Sequence, residues 1–290
     1  MITSTSNPRI KNIVKLLAGS RERKEQGLFV VEGEKLFMEA PLERIDSVFV
    51  SESCLARLEK RSDKGRQAFS EDCLKKLEDI GYETVSDAVF ARMSDTSTPQ
   101  GIMCTIKSTD HPLEKLLEGS FGELKRVLLL EGVQDPGNLG TMLRTAEAAG
   151  YDAVIADADT ADRHNPKVIR STMGAIYRMK VSYSKDIKDA VKRCREKGFC
   201  VYAAHLKGKV FYDETVYSER TAIIIGNESK GLSAEVSQLA DMLVRIPMEG
   251  RAESLNAAVA AAILMYQSRI RRSSSDTKVT AFGKPYTERR

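Results

Sequence analysis

The chain has 290 residues, 42% hydrophobic and 30% charged, with a formal net charge of +4. That balance belongs to a soluble globular protein with a real core, long enough for two ordinary domains or one large one. No apolar stretch reaches the length of a membrane span, and the polar, basic start lacks the apolar segment of a secretory signal, so a cytoplasmic location is expected.

Five cysteines (Cys54, Cys73, Cys104, Cys194, Cys200) form no CxxC pair, and His111, His164 and His205 are scattered. Reduced thiols and no metal site are the expectation. Basic residues gather at the ends: Arg9, Lys11, Lys15, Arg21, Arg23 and Lys24 near the start, Arg269, Arg271 and Arg272 near the close. Such clusters are solvated surface or a polyanion site.

In chain order, Ile10, Ile13, Val14 and Leu17 recur at helical spacing after Asn7-Pro8, predicting a helix over 7–18. Leu28–Val31 and Arg44–Val50 read as strands around a helix from Gly33 to Ala40. Helical stretches follow over 51–78, then strands near Tyr82–Val85 and Ile102–Ile106. This first α/β unit is expected to span 1–110, with a linker over 111–124. The second unit, 125–272, has a stronger rhythm. Strands are predicted at Val127–Leu130, Ala153–Ala156, Met179–Val181, Phe199–Ala203, Ala222–Ile225 and Leu243–Ile246, and helices over 139–149, 185–197, 233–240 and 254–271. Continuous apolar strands alternating with helices predict a parallel sheet covered on both faces. Residues 273–290 are expected to be a mobile tail.

Three polar, Gly-containing turns follow apolar runs in this second unit: Asp135-Pro-Gly-Asn-Leu-Gly-Thr-Met-Leu-Arg144, Ile225-Gly-Asn-Glu-Ser-Lys-Gly231 and Ile246-Pro-Met-Glu-Gly-Arg-Ala-Glu-Ser-Leu-Asn256. In a parallel sheet such turns sit at the carboxyl ends of strands, where ligands bind. Both nucleotide-phosphate patterns fail. Gly226 to Gly231 has the spacing of a P-loop, but Leu232-Ser233 follows where Lys-Ser/Thr is needed, and Gly137 and Gly140 make no dinucleotide fingerprint. Asn138 reads as a cap for a helix starting at Leu139, or as a site residue. Arg144, on a helix of small residues, either snorkels or faces an anion or polar ligand. Glu228 comes too early to serve the helix that Ser233 would cap, and one of Ser254 and Asn256 caps the last helix. That helix is apolar all round, which predicts burial, within one chain or against a second subunit.

The ordered set resembles the SpoU (TrmH-like) branch of the SPOUT RNA methyltransferases: Asn138-x-Gly140-x-x-x-Arg144, then Gly226-x-Glu228-x-x-Gly231, then Ile246-Pro-Met248 leading to Ser254-Leu-Asn256. The first unit, with Asn7-Pro8-Arg9-Ile-Lys11, Phe29-Val-Val-Glu-Gly33 and Thr98-Pro-Gln-Gly101, resembles the substrate-binding domain of ribosomal members. The resemblance implies an α/β trefoil-knot domain after a ribosomal-protein (L30e-like) α/β domain, and a homodimer. It implies methyl transfer from S-adenosyl-L-methionine to a ribose 2′-hydroxyl of RNA, with 23S rRNA favoured and tRNA, or a non-catalytic RNA-binding role in ribosome assembly, as alternatives. It also implies cofactor contacts from Ala204, Gly226, Ile246, Met248 and Leu255, and catalytic roles for Asn138, Arg144, Glu228, Ser254 and Asn256, with Arg144 acting across the dimer. One departure stands out: Thr172 occupies a position where the family more often has Ser, in what reads as a substrate loop.

Overall fold

A computed structural model describes residues 1–62 and 67–270. The tail expected from Ser273, and Arg271 and Arg272 of the basic end, lie outside these residues.

The first unit runs α1 (Pro8–Ala18), α2 (Ser20–Gln26), β1 (Leu28–Glu32), α3 (Glu34–Glu39), β2 (Ile45–Ser51), α4 (Glu52–Ser62), α5 (Gln67–Ile80), β3 (Glu83–Val85), α6 (Asp87–Met93) and β4 (Ile102–Lys107). Its strands lie in the order β1-β4-β2-β3, antiparallel except for β2 against β3. Asn7 caps α1 by accepting from the Arg9 amide, with Pro8 in the first turn. The buried face of α1 is Ile10, Ile13 and Leu16. Val14, expected on that face, lies one residue (about 100°) round the helix from Ile13 and is 44% exposed. The polar helix α2 has no apolar period to predict it; it ends on Gly27 in the left-handed conformation at φ 63°.

The second unit runs α7 (Leu113–Leu117), β5 (Arg126–Leu130), α8 (Pro136–Ala148), β6 (Ala153–Asp157), α9 (Pro166–Thr172), β7 (Lys180–Ser184), α10 (Ile187–Glu196), β8 (Cys200–Ala204), β9 (Val210–Phe211), β10 (Thr221–Ile225), α11 (Ala234–Leu239), β11 (Met242–Arg245) and α12 (Ala257–Gln267). Among the described residues its sheet is parallel throughout, in the order β7-β6-β5-β10-β8-β11-β9. The central strands β5, β6 and β10 carry continuous apolar runs because they serve two cores. Leu128, Leu130, Val154, Ala156, Ile223 and Ile225 pack with α8 and α12, while the alternating Val127, Leu129, Ala153, Ile155, Ala222 and Ile224 pack with α7 and α10. Leu113, Leu116 and Leu117 are buried in this second core, so α7 packs as part of the second unit.

The two units meet along α9. Ile169 inserts into the first unit's core, and the Tyr177 hydroxyl donates to the Leu36 carbonyl at 3.0 Å. Arg23, only 5% exposed, donates to Asp162 at 2.8 and 3.0 Å and to the Leu16 carbonyl at 2.6 Å. His164 stacks on Phe29 with centroids 4.3 Å apart, and its Nε2 accepts from Arg163 Nε at 3.2 Å. That acceptor role requires a neutral imidazole. Burial first, then the Arg163 charge, push the His164 pKa from 6.5 to about 3. A depressed histidine pKa means that the unfolded chain takes up a proton that the folded seam refuses. Stability from this group is therefore complete above about pH 6.5 and declines as pH falls toward about 3. Urea midpoints should drop between pH 7 and pH 5, and His164→Gln should flatten that drop.

Candidate active site

Beyond β5 on one side lie β6 and β7; on the other, β10 is inserted between β5 and β8. Ligands gather at such a reversal of strand order, outside the carboxyl ends of the strands. The segments after β8, β10 and β11 enclose a cavity of about 300 Å³. Ala204, Gly226, Ile246, Met248 and Leu255 all stand in its wall, together with Glu228 and Ser254.

The Gly226 turn is tightly built. Asn227 and Gly231 exchange backbone hydrogen bonds at 3.1 and 2.9 Å, and the Asn227 side chain accepts from the amides of Ser229 and Lys230. Its amide also donates to the Gly132 carbonyl at 2.7 Å, which ties this turn to the one after β5. A Cβ on Gly226 would fall 2.3 Å from the carbonyl carbon of Gly231 and 2.4 Å from the amide nitrogen of Leu232. Only glycine lets the two strands of the turn approach so closely.

Asn138 does not cap its helix, as one reading of the sequence had it. Helix α8 starts at Pro136, and Asp135 is the cap, accepting from the Asn138 amide at 2.8 Å. Proline in the first turn lacks only a donor that would be unpaired there anyway, so Asp-Pro is the stronger helix start. The Asn138 side chain is thereby released for other contacts. Its Nδ2 donates to Glu228 Oε1 at 3.1 Å, and its Oδ1 accepts from Asn256 Nδ2 at 2.9 Å. Glu228 also accepts from the amides of Gln134 and Asp135 at 3.2 and 3.1 Å. Asn256 caps α12 by accepting from the amides of Ala258 and Val259. One chain of hydrogen bonds, Glu228 to Asn138 to Asn256, therefore cross-links all three turns. Partial burial of Glu228 opposes its ionisation, but the Asn138 side chain and the Asp135 and Gln134 amides outweigh burial and hold its pKa below the ordinary value.

Arg144 is set apart. It lies six residues along α8 from Asn138, about 9 Å at helical rise. It is exposed, lines no part of its own chain's cavity, and no hydrogen bond or ion pair engages it among the described residues. Gly140 and Glu147 share its face of the helix. A Cβ on Gly140 would fall 2.5 Å from Ser171 Cβ and 2.6 Å from the Val168 carbonyl oxygen, so α8 and α9 are almost in backbone contact there. Thr172, the departure noted in the sequence, is fully buried and donates to the Ile169 carbonyl at 2.7 Å. Its hydroxyl finishes a helix and does not face the cavity.

Within the single chain the apolar α12 buries one face. Ala258, Ala261, Leu264 and Met265 are buried, whereas Val259, Tyr266 and the following Ile270 are about half exposed in the single chain. Asp135 and Asn227 are the structural residues of the site that pattern reading passed over. The Asp-Pro pair alone would have located the first.

The wall is apolar and backbone-rich, with the carboxylates of Glu228 and Glu253 and one cation, Lys230. Such a lining suits a phosphate-free nucleoside that carries a positive group and offers little to a polyphosphate. S-adenosyl-L-methionine, an adenosine bearing a sulfonium and no phosphate, fits that description.

Residues 125–266 match the SpoU rRNA Methylase family, and residues 7–104 match the MRM3-like substrate binding domain. A 23S rRNA (guanosine(2553)-2′-O)-methyltransferase of Bacillus subtilis, RlmP, is 35% identical over 268 residues, covering 92% of this chain and 98% of that protein. An uncharacterised tRNA/rRNA methyltransferase of Synechocystis is 29% identical over 95% of this chain and 96% of its own length. Among solved structures, the AdoMet-bound rRNA methyltransferase from Sinorhizobium meliloti superposes with a TM-score of 0.76 at 29% identity, covering 92% of this chain and 96% of that one.

Proposed function

The chain belongs to the SpoU rRNA methylase family, and from that premise we propose that it methylates a ribose 2′-hydroxyl of 23S rRNA, with S-adenosyl-L-methionine as donor. It is an RNA 2′-O-methyltransferase; the 23S target is the reading favoured by the relative of known substrate, which is similar along nearly its whole length. The observation that carries the catalytic reading is the Glu228–Asn138–Asn256 chain of hydrogen bonds at the edge of an apolar cavity. A protein that only bound RNA would have no evident use for it.

When bound, S-adenosyl-L-methionine supplies a methyl group whose carbon–sulfur bond breaks as the ribose oxygen attacks, the electron pair staying on sulfur. Gly226, Ile246 and Leu255 would hold it largely through backbone, with Ala204 and Met248 as walls. The ribose hydroxyl must shed its proton during attack, and a guanidinium stays protonated in nearly any protein setting. Arg144 therefore serves as a cation. It clamps the phosphate beside the target ribose and stabilises negative charge developing on the 2′-oxygen, while the proton passes to that phosphate or to water. Glu228 and Asn256, through Asn138, fix the loops that receive the ribose, and Ser254 borders the same wall.

Arg144 lies away from its own cavity, and the half-exposed stripe of Val259, Tyr266 and Ile270 calls for a cover. A homodimer packed through α12 answers both needs by bringing Arg144 to the partner's cavity. The trefoil knot and the L30e-like character of the first unit belong to the same proposal. Val259→Asp combined with Tyr266→Asp should give a monomer by sedimentation and remove methyl transfer. For the reaction itself, labelled S-adenosylmethionine is incubated with unmodified 23S rRNA and with tRNA. Label mapped to one 2′-O-methyl nucleotide of 23S rRNA is expected. Label only in tRNA, or cofactor binding with no transfer, would overturn the proposal.

A further inference from the structure

The loop from Ser94 to Gly101 is polar and exposed at its tip, Ser97 to Gln100, yet held at many points. The Glu32 carboxylate accepts from Ser94 Oγ at 2.7 Å, Thr96 Oγ1 at 3.0 Å and the Gln100 amide at 3.3 Å. Arg57, itself paired with Glu34, donates to the Gln100 carbonyl at 3.0 Å. Gly101, at φ 86°, closes the loop where a Cβ would fall 2.4 Å from Cys54 Cβ. Ordering an exposed loop costs conformational entropy that its tip does not recover by burial. A tip fixed in that way is preorganised to meet something.

What lies beside it is α9. Asp95 of the loop bonds Arg170 at 2.7 Å, the two side chains being 35% and 38% exposed. Lys167, three residues earlier and so on the same helix face, reaches Asp135, the cap of the helix that carries Asn138 and Arg144, at 3.3 Å. The substrate-binding unit is thus joined to the catalytic helix by two exposed cations, each held by one exposed carboxylate. Exposed pairs of that kind contribute little to stability and exchange partners readily.

We propose that the 94–101 loop, Arg170 and Lys167 form the track on which the RNA's sugar–phosphate backbone is laid toward Arg144, a backbone phosphate taking the place of the Asp95 carboxylate on Arg170. This rests on the RNA-methylating reading above and names the surface by which the first unit serves it. A bidentate guanidinium matches a phosphate better than it matches one carboxylate oxygen. The exposed hydroxyls of Ser97 and Thr98 then face the sugar edge.

The test measures affinity of the full chain for a 23S rRNA fragment at several salt concentrations, with methyl transfer followed in parallel. Arg170→Gln should weaken binding about tenfold and reduce the slope of log affinity against log salt by about one. Asp95→Asn removes a charge that competes with phosphate and should tighten binding roughly 2–5-fold. Arg193→Gln, on α10 across the sheet, should change neither. Unchanged affinity and slope in Arg170→Gln would overturn the track. So would equal weakening in both Arg170→Gln and Asp95→Asn, because the pair would then be a tether between domains and nothing more. Tight RNA binding by the unaltered chain without methyl transfer would instead count against the enzymatic reading and leave the track standing.

Discussion

Arg144→Ala is expected to reduce kcat by about 10²–10³-fold, the loss typical of removing one donor that stabilises developing oxyanion charge, while leaving affinity for S-adenosylmethionine unchanged. The split follows from geometry. Arg144 is absent from its own chain's cavity wall and holds no side chain that is part of it among the described residues, and at the partner's cavity its role is toward the ribose and its phosphate, so its loss should spare cofactor binding. Arg144→Lys keeps the charge but loses the planar fork and should fall between. Isothermal titration with the cofactor, beside single-turnover transfer, separates binding from chemistry. Weakened cofactor binding in the alanine variant would mean that Arg144 helps to hold the donor, and would contradict a role confined to the ribose and its phosphate.

The second large effect is the opposite one. Gly226→Ala puts a methyl group 2.3 Å from the Gly231 carbonyl carbon and 2.4 Å from the Leu232 nitrogen, both backbone atoms that no rotamer change can clear. The turn must open, at a cost of about 1–3 kcal/mol or more. Since Gly226 lines the cavity, cofactor affinity should fall by roughly 10–100-fold, with turnover following it. The two variants then test the dimer together. If Arg144 acts across the interface, mixing Arg144→Ala chains with Gly226→Ala chains should rebuild one complete site per mixed dimer. Random pairing then restores about a quarter of the sites. If Arg144 acts within its own chain, mixing restores nothing.

Much of the fold was legible because the strands announce themselves. Runs such as Val127–Leu130 and Ala222–Ile225 are apolar at every position, and each is a strand buried on both faces. Elements without a hydrophobic period escaped. The polar α2 ends on Gly27 and has Arg23 drawn into the seam, and the two-residue β9 pairs with β11 at the sheet's edge. The site was legible as three motifs, since glycine, amide and carboxylate at fixed offsets betray tight turns. How the motifs bond to one another was not. Nothing along the chain relates Asn138 to Glu228, 90 residues on, or to Asn256, 118 residues on.

The sequence alone determined that a parallel α/β unit with strand-end turns follows a smaller α/β unit, that phosphate cradles are missing, and which residue types stand in the turns. These are local matters of periodicity and turn chemistry, decided within a few residues. The tertiary structure decided which of those residues work together. By inserting β10 between β5 and β8 it brought Glu228, Asn138 and Asn256 into one hydrogen-bonded chain. It gave the capping role to Asp135, left Arg144 facing outward, and left one face of the apolar α12 exposed within the single chain. The physical reason is common to all of these: a side chain's partner is set by what the fold packs beside it, and spacing along the chain carries no record of that.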